Sequence, residues 1–271
     1  MNEQPKRDLM SSIRRAWLPA IAILVATLCA PRTEAAEIRV MISGGLSAAY
    51  KELAPQFEKA TGNTVITSYG PSMGSTENAI PVRLARGEPA DVLIMVGDAL
   101  GVMISKGLAD AGSRVDLVRS PIGMVVRAGA PKPDISTPEA LKATLLAAKS
   151  VAYSDSASGV YVGTELFKKL GIASEMEGKA RMIPADPVAG VVAHGDAELG
   201  FQQISELLPI PGAELVGPLP PELQKITIFS AALTKDVKAR EQGKALIDFL
   251  ASAAAAPALV KSGMEPIAPA R

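Results

Sequence analysis

From Glu37 onward the chain alternates between two apolar periods, and that alternation restricts its fold more than any other feature. Ile38-Arg39-Val40-Met41-Ile42 reads as a short buried strand. Gly44-Gly45 breaks it, and Leu46, Ala49, Tyr50, Leu53 and Phe57 then recur at helical spacing up to Gly62. The rhythm repeats. Thr64 to Ser68 gives a strand, Asn78 to Arg86 a helix stopped by Gly87, Asp91 to Val96 a strand, and Ala99 to Lys106 a helix stopped by Gly107. Successive strand–helix units of this kind build parallel sheets with helices on their faces, so the fold class is α/β.

A second unit opens near Ser120-Pro121. Ile122 to Val126 reads as a strand, and a Pro/Gly-rich loop runs from Ala128 to Pro138. Thr137 caps a helix over Glu139 to Ala148 with Pro138 in its first turn. Strand Val151 to Tyr153, helix Val160 to Leu170 and strand Arg181 to Ile183 follow; a helix then starts at Val188 with Asp186 as its cap, and strand Leu199 to Gln202 comes next. The proline-rich stretch Leu208 to Pro221 interrupts the alternation. Ile226 to Ala231 is a strand and Arg240 to Leu250 a long amphipathic helix, followed by the low-complexity run Ala251 to Pro257 and a tail from Met264 to Arg271.

The residues before Glu37 do not fit this pattern. Lys6, Arg7, Arg14 and Arg15 precede an apolar run from Ala16 to Ala30, and Thr33-Glu34-Ala35-Ala36 supplies small residues for cleavage, the order of a secretory signal over residues 1–36. Pro19 breaks the run, which falls short of the roughly 20 residues of a spanning helix. Leu28 before Cys29 is too large for a lipoprotein signal, and Ser12-Ile13-Arg14-Arg15 matches a twin-arginine motif only loosely. The expected destination is the periplasm, with no membrane insertion after cleavage. Removing residues 1–36 takes away Lys6, Arg7, Arg14, Arg15 and Arg32 with Glu3, Asp8 and Glu34, which turns 28 positive and 28 negative charges into 23 and 25. That balance leaves no footprint for nucleic acid. The only Cys (Cys29) and the only Trp (Trp17) leave with the same segment, which excludes disulfides and thiol catalysis, while a single His cannot build a zinc site.

Three strand ends run into loops rich in Gly and Ser: Ser43-Gly44-Gly45-Leu46-Ser47, Gly70-Pro71-Ser72-Met73-Gly74-Ser75-Thr76, and Ser154-Asp155-Ser156-Ala157-Ser158-Gly159. Each precedes a helix, where unpaired N–H groups, hydroxyl donors and the positive end of the helix dipole suit anions. Open α/β sheets place ligands at such carboxyl ends of parallel strands. Arg83 and Arg86, three apart on one helix, could clamp a carboxylate, although a solvated face explains them as well. His194 ends a helix before Gly195. No Ser/His/Asp elbow, phosphate loop or dinucleotide glycine fingerprint is present, so no cofactor is expected.

These segments resemble those of class II periplasmic solute-binding proteins, in the branch typified by the molybdate-binding proteins of ABC importers. The likeness spans the chain from Glu37. It is carried by the strand into Ser43-Gly44-Gly45-Leu46-Ser47, by Leu53-Ala54-Pro55-Gln56-Phe57-Glu58-Lys59-Ala60-Thr61-Gly62, by Gly87-Glu88-Pro89-Ala90-Asp91-Val92-Leu93-Ile94, by Ser158-Gly159-Val160-Tyr161, and by Asp186-Pro187-Val188. The resemblance implies a two-lobed fold. Residues 37–120 with 229–271 would make one lobe and 121–228 the other, each a mostly parallel sheet flanked by helices, hinged by two crossovers near Ser120 and Ile226. It implies a small anionic ligand in the cleft, a monomer, and an ABC permease as partner.

In that branch two Ser hydroxyls, backbone N–H groups of two helix starts and a Tyr hydroxyl hold molybdate. Here Gly45 stands at the first Ser, Ser72 or Ser75 can replace the second, Ser158 and Val188 offer backbone donors, and Gln203 replaces Tyr. Because each missing hydrogen bond to a charged group costs roughly 1.5–3 kcal/mol, these changes argue against molybdate and for a di- or tricarboxylate. The expected ligand contacts are Ser43, Gly44, Gly45, Ser72, Met73, Gly74, Ser75, Arg83, Ser156, Ser158, Gly159, Val188 and Gln203. The same branch is similar to periplasmic aconitate isomerases. On that alternative a base must move an allylic proton, and Asp155, Glu77 and His194 are the candidates.

Overall fold

The computed structural model describes Met1, residues 35–184 and residues 186–267. The expected leader, residues 1–36, therefore lies outside the described residues apart from Met1, Ala35 and Ala36. Among the described residues no helix is long and apolar enough to cross a membrane.

Among the described residues eleven strands form two sheets. The first sheet contains β1 (Glu37–Ile42), β2 (Thr64–Tyr69), β3 (Val92–Val96), β4 (Val115–Ser120), β10 (Thr227–Leu233) and β11 (Glu265–Pro266), in the order β2-β1-β3-β10-β4-β11. The second contains β5 (Ile122–Arg127), β6 (Val151–Ser154), β7 (Ala180–Ile183), β8 (Leu199–Gln203) and β9 (Ala213–Pro218), in the order β7-β6-β8-β5-β9. In each sheet the strands joined through helices run parallel, β1 with β2 and β3, and β6 with β7 and β8. The strands entered at the crossovers run antiparallel to their neighbours, β10 to both β3 and β4 and β5 to both β8 and β9, and β11 adds a further antiparallel pair with β4. The chain passes from the first sheet to the second across Ser120-Pro121 and returns before Thr227.

Local sequence explains the elements. Val92–Val96 is apolar at every position and buried throughout, the pattern of a strand covered on both faces. The helix Gly44–Thr61 buries Leu46, Ala49, Tyr50, Leu53 and Phe57 along one stripe, and Gly62 ends it with a left-handed φ of 76° that lets its N–H reach Glu58 O at 2.8 Å. Thr137 caps the helix Pro138–Ala147, its Oγ1 accepting from the Ala140 N–H at 3.1 Å. Asp91, buried behind β3, accepts from the N–H groups of Arg39 at 2.8 Å, Lys238 at 2.8 Å and Ala239 at 3.3 Å, so one carboxylate ties β1 to the segment after β10.

Some expected elements differ. The helix placed over Asn78 to Arg86 is confined to Ile80–Ala85, because Pro81 belongs in a first turn. The helix placed over Val160 to Leu170 begins earlier, at Ala157–Tyr161, and widens to π-type turns over Val162–Leu166 before Phe167–Lys169. Pro187, not Asp186, is the residue flanking the helix Val188–His194. Strands β4 and β9 are additions, the second inside the proline-rich stretch, and the low-complexity run leads into a helix, Ala256–Lys261.

Candidate functional site

The carboxyl ends of β1, β2, β6 and β8 open onto one cavity of about 650 Å³ between the two sheets. All three Gly/Ser loops reach it. Ser43, Gly44, Gly45 and Ser47 come from the first, Ser72, Met73 and Thr76 from the second, and Asp155, Ser156 and Ala157 from the third. Gln202, Gln203, Ser205 and Glu206, at and after the end of β8, line the same space, as do Lys51, Asp186 and Phe229.

Among the described residues, two hydroxyls in this wall have no partner. Ser43 Oγ, at a residue 3 % exposed, and Ser205 Oγ, at a residue 1 % exposed, are buried without a hydrogen bond. An unsatisfied buried hydroxyl costs roughly 1–3 kcal/mol, and both of these residues line the cavity. Ser43 also precedes the helix Gly44–Thr61 without capping it, which leaves the first-turn N–H groups free of a side-chain acceptor there. Ser72 Oγ accepts from the Val96 N–H at 2.9 Å, which occupies a lone pair and leaves its proton to donate.

Other expected contacts are already engaged. Arg83 does not line the cavity: its guanidinium closes on Glu88, with Nε 2.9 Å from both carboxylate oxygens, and its Nη1 donates to Tyr69 O at 3.3 Å. Glu88 sits just past the turn at Gly87 and captures the fork expected to hold a ligand; the pairing pulls the Glu88 carboxyl below its ordinary range. The Val188 N–H donates to Gln202 Oε1 at 3.2 Å, not into the cavity. Ser158 Oγ lies in a triangle of hydroxyls, 3.2 Å from both Ser154 Oγ and Ser156 Oγ, and only Ser156 of the three reaches the cavity wall. Gly74, Ser75 and Gly159 stand outside that wall.

Gln203 faces the cavity but spends its amide on the two crossovers. Its nitrogen donates to Ser120 Oγ at 2.9 Å and Ser120 O at 3.0 Å, and its oxygen accepts from Thr227 Oγ1 at 2.8 Å. At Gly45 a β-carbon would run into the Phe229 ring, so the aromatic side chain fills the space that a serine would need.

Of the three candidate bases, Asp155 lines the cavity, whereas Glu77 and His194 do not; His194 is exposed at the far end of its helix. A fourth carboxyl was not singled out from the sequence. Glu206, in the short helix Ile204–Leu207, is half-buried in the wall, where burial pushes its pKa from 4.5 up to about 7, with the nearby Asp155 charge adding to the rise and a hydrogen bond from Gln202 opposing it. No local spacing marks it, because its hydrogen-bond partner Gln202 lies in β8 and the carboxyl meets Gly44 only in the fold.

Comparison with known proteins places this geometry. A family model described as bacterial extracellular solute-binding protein matches residues 38–265. An aconitate isomerase from a Pseudomonas species is 48 % identical over 254 residues, covering 92 % of this chain and 97 % of that protein. Molybdate-binding protein ModA of Azotobacter vinelandii is 28 % identical over 239 residues, 85 % of this chain and 90 % of its own length. Among solved structures, the Azotobacter vinelandii periplasmic molybdate-binding protein superposes with a TM-score of 0.67 at 19 % identity, covering 86 % of this chain and 100 % of that one. The sulfate-binding protein SubI from Mycobacterium tuberculosis H37Rv does so with 0.68 at 17 % identity, covering 86 % and 88 %.

Proposed function

The chain belongs to the bacterial extracellular solute-binding protein family, and from that premise we propose that it is an exported enzyme that interconverts cis- and trans-aconitate in the cavity between its sheets. The cavity carries the reading. About 650 Å³ is roomy for a compact tetrahedral oxyanion, and two of the three positions at which the molybdate-binding resemblance calls for hydroxyls offer none, Gly45 being covered by Phe229 and Gln203 being bonded to Ser120 and Thr227. What the cavity does offer is spread out: the Ser43 and Ser205 hydroxyls, the Ser72 O–H, the start of the helix Gly44–Thr61, and Lys51. Dispersed donors suit several carboxylates on one carbon frame. The 48 % identity to an aconitate isomerase over nearly the whole chain supports the specific substrate.

The chemistry is a proton shift. A base removes a proton from the methylene carbon, the double bond moves by one position as charge spreads onto the adjacent carboxylate, and the proton returns at the former vinylic carbon. Hydroxyl and N–H donors on that carboxylate stabilise the enolate-like intermediate. In this reading residues 37–120 with 229–271 and residues 121–228 act as two lobes that close by bending at the crossovers near Ser120 and Ile226. Export and removal of residues 1–36 place the enzyme in the periplasm, acting as a monomer. The family itself favours a second reading, a polycarboxylate receptor delivering to an ABC permease.

Turnover separates the two. The protein lacking residues 1–36 is incubated with either isomer in deuterated water and followed by proton NMR. Interconversion is expected, with or without solvent deuterium in the product. Aconitate that protects the protein against heat but stays unchanged at high protein concentration would leave the receptor reading alone.

A further inference from the structure

We propose that Glu206 is the catalytic base of this site and that Gln202 is the positioning residue that aims it. This rests on the isomerase reading. Glu206 follows β8 directly, yet its Oε1 occupies the space beside the Gly44 α-carbon that a β-carbon would take, at the first turn of the helix Gly44–Thr61. One carboxyl thus leans from the second sheet's element against the ligand-facing helix start of the first. Its wall neighbours include Ser43 and Ser205, whose unpartnered hydroxyls mark where an anionic substrate would rest.

Gln202 fixes the orientation. Its Oε1 accepts from the Val188 N–H at 3.2 Å, so the end of the amide left for Glu206 is the NH2 group. A donor so held binds the ionised carboxylate, the form that accepts a proton, and gives it a definite direction. The charged groups sharing the cavity with Glu206 are Asp155 on the loop after β6, Asp186 before the helix Val188–His194, and Lys51 on the helix Gly44–Thr61. Burial does most to raise the Glu206 pKa to about 7, where a carboxyl both takes and returns a proton readily, and among these charged groups Asp155 adds to the rise. In the cycle the Glu206 carboxylate takes the methylene proton, becomes the neutral acid, and returns that proton to the vinylic carbon. No group is consumed and nothing is oxidised or reduced.

The test measures isomerisation of trans-aconitate by the wild type and by Glu206→Gln, Glu206→Asp, Gln202→Leu and Asp155→Asn, with ligand-induced thermal shifts reporting binding and folding. Glu206→Gln should lower kcat by roughly 10²–10⁴-fold while still binding aconitate, and Glu206→Asp should recover part of the loss. Activity of the wild type should rise with pH through about 7. Asp155→Asn should move that rise to lower pH by removing a like charge, and Gln202→Leu to higher pH by removing the donor that favours the carboxylate. A merely structural role for either residue would not move the pH profile in these opposite directions. A wild type that turns over aconitate alongside a Glu206→Gln variant within tenfold of it overturns the assignment and leaves the isomerase reading intact; a wild type that binds aconitate without turnover overturns both.

Discussion

Replacing Glu206 with glutamine should make the folded protein more stable at alkaline pH and leave it nearly unchanged in acid. The folded chain holds the Glu206 proton more tightly than the unfolded chain does, at a pKa of about 7 against 4.5. Below about 4.5 the carboxyl is protonated in both states and has no effect on the balance. As pH rises from there through about 7 the unfolded state ionises first, so stability falls, and above about 7 the loss is complete. At 1.36 kcal/mol for each pKa unit the full loss approaches about 3 kcal/mol, an upper bound because the side chain keeps some contact with solvent. Glutamine keeps the shape and a hydrogen-bonding end but cannot ionise. Urea unfolding at pH 4.5, 5.5, 6.5, 7.5 and 8.5 measures the difference, and an m-value of about 2–3 kcal/mol per molar turns that bound into a midpoint shift of at most about 1–1.5 M. A constant offset between variant and wild type, from an altered bond to Gln202, carries no information; the slope does. Parallel stability curves across the whole range would refute the reasoning and return Glu206 to an ordinary surface carboxylate.

Ser43→Ala and Ser205→Ala should each weaken aconitate binding by roughly 10- to 100-fold, the worth of one hydrogen bond to a carboxylate, while the unligated proteins melt no lower than wild type because an unsatisfied hydroxyl has been removed; calorimetric titration and thermal melts check both. Gly45→Ser should destabilise the fold by about 1–3 kcal/mol in urea, since its side chain meets the Phe229 ring, and equilibrium dialysis should find no gain in molybdate binding. Asp91→Ala leaves the amides of Arg39, Lys238 and Ala239 without their acceptor and should cost about 3–5 kcal/mol, read from the urea midpoint.

The alternation of strands and helices was legible because the two apolar periods differ, and because glycine or proline marks most of the boundaries. It failed where burial is one-sided or the chain is punctuated. In β4, Val115-Asp116-Leu117-Val118-Arg119-Ser120 exposes both Asp116 and Arg119 and lacks a clean period, and β9 lies in a proline-rich run with no fully buried position. That the three Gly/Ser loops reach one cavity was readable because Ser and Gly at the carboxyl end of a strand have a local reason to be there. Engagement was not readable. Nothing local tells that the Val188 amide belongs to Gln202 or that Gln203 stitches Ser120 to Thr227, because each depends on where separate segments meet, and the Arg83–Glu88 pair, though only five residues apart, depends on the turn at Gly87 that brings the two side chains together. Glu206 escaped for the same reason, since its neighbours Gly44 and Asp155 come from the loops after β1 and β6.

On the isomerase reading, binding and proton transfer make opposing demands on Glu206, and the conflict has a measurable consequence. A polyanionic substrate is attracted by the hydroxyls, helix start and Lys51, but is repelled by every ionised carboxylate in the wall, so it binds best when Glu206 carries its proton. The chemistry needs Glu206 without it. Reciprocally, a bound polyanion raises the Glu206 pKa further by the same coupling free energy with which ionised Glu206 weakens the ligand. The acid limb of kcat/KM reports the free enzyme and should lie near 7, whereas that of kcat reports the complex and should lie at higher pH. Desolvation of the closed cleft acts in the same direction, because it too disfavours the charged form. Complete pH profiles for both isomers measure the separation. If the two limbs coincide, the substrate's charge does not reach Glu206, and the proton is handled elsewhere in the cavity.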